Sequence, residues 1–199
     1  RAKSQLNCSV FGIDPSPGEQ GVGRYEAKDM EAITIDKGFA ENLPYDDNHF
    51  DVVFCSHVLE HVDNEDVSLQ EIRRVLKKDG VLIIGMPTAL MSSLSYLSKI
   101  LFTTHINILF FLKSLGKRDM IKRFKTIFIP ISHSYPRAKT IYYDLYMYRV
   151  KRWEKLIAPH FQIVSKLQPY LYPYPDYFQF FKIHKSRLGS SSVFFICKK

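Results

Sequence analysis

The sequence predicts an α/β domain built around a parallel sheet. Strand-like and helix-like patterns alternate over the first 88 residues, which is typical of parallel α/β domains. The chain has 199 residues, of which 46% are hydrophobic and 24% are charged, so it is long enough for one domain with a substantial core. We therefore expect residues 1–199 to form a single domain.

Four short apolar runs in the first 88 residues predict strands. They are rich in β-branched side chains and are bounded by turn-forming residues. The runs are CSVFGID (8–14), AITIDKGFA (32–40), FDVVFCS (50–56) and VLIIGMP (81–87).

The segment between the last two runs, DNEDVSLQEIRRVLKKDG, predicts a helix over residues 63–80. Asp63 or Asn64 can cap its first turn, which is rich in acidic residues, and apolar residues recur at helical spacing. Lys77 and Lys78 complement the helix dipole in the last turn, and the following Asp-Gly pair ends the helix. Strand, helix and strand form one crossover unit, which is expected to be right-handed.

Residues 89–150 differ in character and predict a helical insertion. Apolar residues at helical spacing are followed by a dense basic stretch. The longest stretch without a formal charge inside this insertion, residues 100–112, has 13 residues, which is too few for a membrane-spanning helix. We interpret the insertion as a lid or core helix, and contact of residues 91–125 with a membrane surface is the alternative.

The last part of the chain returns to the sheet pattern. RVKRWEKLIAPHFQIVSKL (149–167) predicts a helix followed by a strand, and SSSVFFICKK (190–199) predicts a final strand. Between them, the aromatic and proline-rich PYLYPYPDYFQFF (169–181) predicts an irregular loop packed on the sheet.

Charge is distributed unevenly along the chain. Residues 1–80 hold 9 Lys+Arg against 16 Asp+Glu, a net charge of −7, whereas residues 81–199 hold 19 against 4, a net charge of +15. The second part therefore favours an anionic partner. The three cysteines are widely separated and no signal peptide is visible, which predicts a cytoplasmic protein without a cysteine-based metal site.

Three segments taken together resemble the class I S-adenosylmethionine-dependent methyltransferases of the UbiE-like, type 11 kind. They are VFGIDPSP, GFAENLPYDDNHFDVVFCSHVLEHVDN and LQEIRRVLKKDGVLIIGMP. The resemblance covers residues 10–88 closely and residues 150–199 more loosely. It implies S-adenosylmethionine as cofactor, and a Rossmann-like sheet that is mostly parallel with an antiparallel C-terminal strand.

The family places a glycine-rich motif and a first strand ahead of the segment that VFGIDP resembles. Only nine residues precede Val10, and the glycines of SPGEQGVG follow the acidic strand end instead of preceding it. We therefore expect the first strand of the family sheet to be missing from this chain.

The resemblance assigns cofactor binding to residues that end two strands and form one loop: Asp14, Phe39, Ala40, Glu41, Cys55, Ser56 and His57. An acid at a strand end, such as Asp14, can accept hydrogen bonds from both ribose hydroxyls, although strand-end aspartates also serve as turn residues. Phe39 stands where the family has an aspartate that holds the adenine amine, so only backbone at Ala40 is left for that contact. Cys55, Ser56 and His57 would line the methionine part of the cofactor.

Residues 57–61, HVLEH, also match the H-x-x-E-H pattern of inverted zinc proteases. Such a site needs His57 and His61 on one face of a helix, but the preceding strand run places His57 at a strand-to-helix junction. We therefore predict no metal site. As general bases for methyl transfer we consider His57, His61 and His133, with Arg137 and Lys139 of the insertion as partners of an anionic acceptor.

The acceptor implied by these features is a small molecule, lipid-linked or phosphorylated, on the side covered by the 89–150 insertion. Nucleic acid is less favoured, because no known nucleic-acid-binding module is present. A non-catalytic methyltransferase-like binding module, or a truncated fragment without cofactor binding, is the alternative, supported by Phe39 and the missing glycine motif. A nicotinamide-binding protein would share the strand-end acid, but the chain contains no G-x-G-x-x-G motif.

Overall fold

The structure is a computed structural model that describes residues 8–16, 34–112, 141–168, 170–171, 183–184 and 189–199. The strands in these ranges are β1 (Phe11–Asp14), β2 (Thr34–Lys37), β3 (Phe50–Ser56), β4 (Leu76–Pro87), β5 (Gln162–Leu167), β6 (Tyr170–Leu171), β7 (Ile183–His184) and β8 (Ser192–Lys198). The helices are α1 (Glu65–Val75), α2 (Ala89–Leu112), α3 (Ile141–Met147) and α4 (Val150–Ile157).

The strands form two main sheets. β1 and β2 pair in parallel, and a four-stranded sheet has the order β3-β4-β8-β5. β3 and β4 are parallel, while β8 runs antiparallel to both β4 and β5. β6 and β7 form a short separate antiparallel pair. The predicted α/β class and the antiparallel C-terminal strand are confirmed.

In the described part of the chain, β1 and β3 each have one edge without a partner strand. These two edges line one apolar groove of about 290 Å³. At one end of the groove the rings of Phe11 and Phe50, which begin the two strands, have centroids 5.8 Å apart. At the other end, Pro15 and Val58 line it just past the strand ends. β1 and β3 therefore run in the same direction and end on one rim.

Helix α1 begins as its capping pattern indicates. Of the two candidates, Asn64 is the N-cap: its side-chain oxygen accepts a hydrogen bond of 3.1 Å from the backbone N–H of Val67. Glu65 and Asp66 occupy the first turn, where the positive end of the helix dipole favours acids.

Helix α1 ends earlier than predicted. Its last residue is Val75, so the prediction that Lys77 and Lys78 lie in the last turn is wrong; both belong to β4, which also begins earlier than the predicted 81–87 run. The cause is a contact distant in sequence. The carbonyl of Val75 accepts a hydrogen bond of 2.8 Å from the backbone N–H of His49, and the preceding carbonyl bonds Asn48, so the helix end is satisfied by the segment that leads into β3.

The main core lies where α1 and α4 meet one face of the four-stranded sheet. Alternate residues of β4 point into it, and the buried helical residues come from the apolar positions of both helices. Its fully or almost fully buried members include Leu69, Ile72, Leu82, Ile84, Met86, Trp153, Ile157 and Phe195. The two helices are also joined by an ion pair between Arg152 and Glu65.

The predicted helix of the insertion and the predicted C-terminal elements are confirmed as α2, α4, β5 and β8. α2 carries four large apolar side chains with about half of their surface exposed: Leu97, Ile108, Leu109 and Leu112. Among the described residues, the helices are all too short or too polar to traverse a bilayer. The basic stretch that follows α2 lies outside the described residues.

Candidate functional site

The candidate site lies along the rim formed by the carboxyl ends of β1, β3 and β4. This is where open parallel sheets bind their ligands. Asp14 closes β1, and the backbone N–H of Gly38 donates a hydrogen bond of 3.2 Å to its carbonyl, which brings the loop after β2 to the rim. Ser56 closes β3, and the following His57 donates a backbone hydrogen bond of 2.9 Å to the Gly85 carbonyl in β4.

Asp14 is placed to bind a polar ligand. The residue is partly exposed, and one carboxylate oxygen accepts a hydrogen bond of 2.7 Å from the backbone N–H of Ser16, which fixes the orientation of the side chain. A carboxylate oriented in this way can accept further hydrogen bonds from a pair of hydroxyl groups.

The loop residues predicted to contact adenine have three different environments. The Phe39 side chain is 62% exposed, and Ala40 is half-buried against the groove. The Glu41 carboxylate accepts hydrogen bonds from the backbone N–H groups of Asp63 (2.8 Å) and Asn64 (3.4 Å). Glu41 therefore connects the loop to the start of α1, and its carboxylate points toward backbone donors of the protein.

His57 has an unusual backbone and two side-chain partners. Its φ is 55°, in the left-handed region that non-glycine residues rarely adopt. Its Nε2 lies 2.9 Å from Ser192 Oγ, and its Nδ1 lies 3.2 Å from Glu60 Oε1. The contact between Nδ1 and Glu60 has the distance of an ion pair but not the geometry of a hydrogen bond. Glu60 is only 2% exposed, and its side-chain oxygens have no hydrogen-bond partner within the described ranges.

The HVLEH segment is a turn and not a helix. β3 ends at Ser56, α1 begins at Glu65, and the backbone N–H of His61 bonds the Val58 carbonyl at 2.9 Å. The predicted strand-to-helix junction is confirmed, and the helical face that a zinc protease motif needs is not formed. Within the ranges that the structure covers, no cluster of three metal-ligating side chains occurs.

Two further residues of the site were not identified from the sequence. Ser192 enters because β8 runs antiparallel to β4, with Pro87 opposite Ser192. Gly85 is required because a Cβ there would lie 2.5 Å from the Phe194 ring and 2.8 Å from Ser56 Oγ. The predicted base His133 and the predicted anion partners Arg137 and Lys139 lie outside the described residues.

Cys55 occupies the rim strand but is buried, and burial, with a smaller contribution from the Glu60 charge, raises the pKa of its thiol to about 12. We expect it to be unreactive toward a thiol reagent at pH 8, because reaction needs the thiolate. Exposed Cys8 should be labelled first, and Cys55 only after unfolding; peptide mapping after timed labelling measures this. A Cys8→Ser variant is the control, and labelling of Cys55 in the folded protein would contradict the result.

The raised pKa also sets the direction of a stability change with pH. The thiol ionises near its ordinary value of 9.0 in the unfolded chain and only near 12 in the folded one. The unfolded state therefore loses protons first, so Cys55 lowers the free energy of unfolding as pH rises above about 9.

Comparison with known proteins supports the resemblance read from the sequence. Residues 1–84 match the family described as "Methyltransferase domain". A demethylmenaquinone methyltransferase of Staphylococcus saprophyticus is 39% identical over 74 residues, which are 37% of this chain and 32% of that protein. The ubiquinone/menaquinone biosynthesis C-methyltransferase of Campylobacter jejuni is 35% identical over 82 residues, 41% of this chain and 33% of that protein. The matched segment thus spans about a third of the length of these relatives.

Solved structures show the same fold over almost the whole chain. A SAM-dependent methyltransferase of Thermotoga maritima, described as a possible histamine N-methyltransferase, has a TM-score of 0.59 at 20% identity and covers 99% of this chain and 75% of its own. A protein of Pyrococcus horikoshii has a TM-score of 0.55 at 17% identity, with 98% and 73% covered. The Rossmann-like methyltransferase fold predicted from the sequence is confirmed.

Proposed function

We propose that this chain, whose fold is that of the class I methyltransferases, performs S-adenosylmethionine-dependent methyl transfer to a small-molecule acceptor. The observation that carries the proposal is that Asp14, which ends β1, and His57, which follows the end of β3, directly precede Pro15 and Val58, which line the same groove. The methyltransferase match over residues 1–84 supports S-adenosylmethionine as the cofactor.

The residues at the rim fit this cofactor. The Asp14 carboxylate, oriented by the Ser16 N–H, would accept hydrogen bonds from the ribose hydroxyls, and the loop at Ala40 would lie against the adenine. Ser56 and His57 would line the methionine part. When bound, the cofactor supplies an already activated methyl group, so the protein mainly has to align donor and acceptor and to accept a proton where the acceptor is protic.

We propose an anionic or lipid-linked acceptor. The net charge of +15 over residues 81–199 supports an anionic group, and the half-exposed Leu97, Ile108, Leu109 and Leu112 of α2 support an apolar tail or contact with a membrane surface. The quinone-methylating relatives support a small aromatic acceptor.

Titration with S-adenosylhomocysteine, followed by calorimetry, tests the cofactor site. We expect saturable heat for the unchanged chain and about a tenfold weaker affinity for Asp14→Ala, because the variant loses hydrogen bonds to a charged acceptor. Asp46→Ala is the matched control, since Asp46 is exposed and lies near the opposite end of β3. Equal affinity for Asp14→Ala and the unchanged chain would show that Asp14 does not bind the ribose.

A non-catalytic binding module is the second candidate function. Phe39 favours it, because it replaces an aspartate of the family pattern, and so do the edges of β1 and β3, which have no partner strand among the described residues. The same titration separates the two candidates. A binding module of this kind gives no saturable heat with S-adenosylhomocysteine.

A further inference from the structure

Three side chains from two parts of the chain converge at the junction after β3. His57 and Glu60 lie in the turn that follows β3, and Ser192 begins β8. The imidazole lies between the other two, with Nδ1 toward Glu60 at 3.2 Å and Nε2 toward the Ser192 hydroxyl at 2.9 Å.

Glu60 determines which nitrogen of His57 carries the proton. Its side chain is fully buried beside Nδ1, and a carboxylate can only accept hydrogen bonds. A hydrogen on Nδ1 faces the buried carboxylate at 3.2 Å more favourably than a lone pair would, and this form of the neutral ring leaves the lone pair on Nε2. Ser192 Oγ then donates to Nε2.

The accessible member of this group is the imidazole and not the serine. The His57 side chain is 28% exposed, whereas Ser192 is 4% exposed at the start of a central strand. A serine nucleophile has to reach its substrate, so the same three residue types do not form a hydrolase site here. The geometry fits a base that receives a proton from an incoming group.

The position of the ring is fixed by the backbone. His57 is held at a φ of 55° while its N–H bonds the Gly85 carbonyl, and a side chain at 85 would collide with Phe194. Uncommon backbone conformations of this kind persist where the surrounding structure determines them and often occur at functional sites. Phe194 lies next to Gly85, whose carbonyl accepts the His57 N–H, and the exposed Val58, which follows His57 in the chain, lines the apolar groove.

We propose that His57 is the general base for an aryl hydroxyl acceptor, with Glu60 and Ser192 as positioning residues. This inference rests on the proposed function. When the Ser192 hydroxyl rotates away from Nε2, the acceptor hydroxyl gives its proton to that nitrogen. The acceptor oxygen keeps the electron pair of its O–H bond and would use it to form the new bond to the methyl carbon. The sulfur of S-adenosylmethionine would keep the electron pair of the S–CH3 bond that breaks. The resulting imidazolium is balanced by the Glu60 carboxylate.

Nitrogen-15 NMR of the histidine rings tests the proposed arrangement directly. At pH 8.5 we expect the His57 ring, assigned with a His57→Asn variant, to be the Nδ1–H form. Glu60→Gln should raise the fraction of the Nε2–H form, because an amide can also donate to Nδ1. Asp46→Asn is the control that should leave the ratio unchanged. A His57 ring that carries its hydrogen on Nε2 in the unchanged chain would overturn the inference.

Phenol and anisole, in the presence of S-adenosylhomocysteine, test the acceptor class. Phenol should shift the Nε2 resonance in a saturable way, and anisole, which has the same ring but no O–H, should not. Ser192→Ala should strengthen phenol binding several-fold, because the competing hydroxyl is removed. No shift with phenol, or equal shifts with both compounds, would overturn the assignment. If S-adenosylhomocysteine binds and these tests fail, only this inference fails; if it does not bind, the proposed function itself fails.

Discussion

Replacement of Trp153 by alanine is expected to lower the free energy of unfolding by about 3–5 kcal/mol. Trp153 is 1% exposed in the core between α4 and the sheet, and its ring stacks on Tyr148 at a centroid distance of 6.1 Å. Its Nε1–H donates a hydrogen bond of 3.0 Å to the carbonyl of Pro87, the last residue of β4. The substitution leaves both a cavity and a carbonyl that has lost this donor.

Urea denaturation followed by circular dichroism measures this effect. A domain of this size commonly has a free energy of unfolding of about 5–15 kcal/mol, so the variant should unfold at much lower urea or be unfolded without it. Trp153→Phe is the matched control: it keeps an aromatic ring and loses the hydrogen bond, so we expect a smaller loss of about 1–2 kcal/mol. A loss below about 1 kcal/mol for the alanine variant would show that this core relaxes around the missing ring.

Replacement of Arg74 by methionine is expected to lower the free energy of unfolding by about 2–3 kcal/mol. The guanidinium donates to the carbonyls of Leu43 (2.9 Å) and Tyr45 (2.7 Å), and also to Asp47 and Glu71. Glu71 in turn accepts the backbone N–H of Leu43 at 2.9 Å. Arg74 therefore fastens the segment between β2 and β3 to α1, and methionine keeps only its apolar stem.

The charge of Arg74 contributes less to this effect than its geometry does. The side chain is 31% exposed, so solvent screens its ion pairs. The hydrogen bond from Arg74 lowers the pKa of Glu71, so this pair stabilises the fold above the ordinary carboxyl pKa and is lost as pH falls through the lowered value.

Arg74→Lys separates charge from geometry. Lysine keeps the positive charge but lacks the planar fork, so we expect it to recover less than half of the loss in the same urea experiment. Lys78→Met is the control for removing an exposed cation near the same helix end. If Arg74→Lys is as stable as the unchanged chain, charge and not the fork holds the segment.

The elements that depend on local pattern could be predicted from the sequence. β3 and the start of α1 follow from a β-branched run and from an N-cap with acids behind it, and the structure has both. The end of α1 could not be predicted, because it depends on hydrogen bonds from Asn48 and His49, which are distant along the chain.

The candidate site likewise contains residues that the sequence pattern indicates and residues that depend on contacts distant along the chain. Asp14 and His57 could be found because strand-end positions are visible in a sequence pattern. Ser192 could not, because its contact with His57 joins residues 135 positions apart and requires the β4–β8 register. Glu60 stood in a visible motif, but its burial beside Nδ1 depends on the turn at His57.

A ligand bound in the groove between β1 and β3 would contact both strands and would therefore stabilise the fold. Within the described ranges no backbone ladder joins the β1–β2 pair, which ends in Asp14, to the four-stranded sheet that precedes His57, and side chains such as Phe11 and Phe50 make the contact between them. A nucleoside that contacts both Asp14 and His57 would link the β1–β2 pair to the four-stranded sheet. At a hundredfold excess over its dissociation constant it would add about 2.7 kcal/mol of stability, so the melting temperature should rise with ligand concentration.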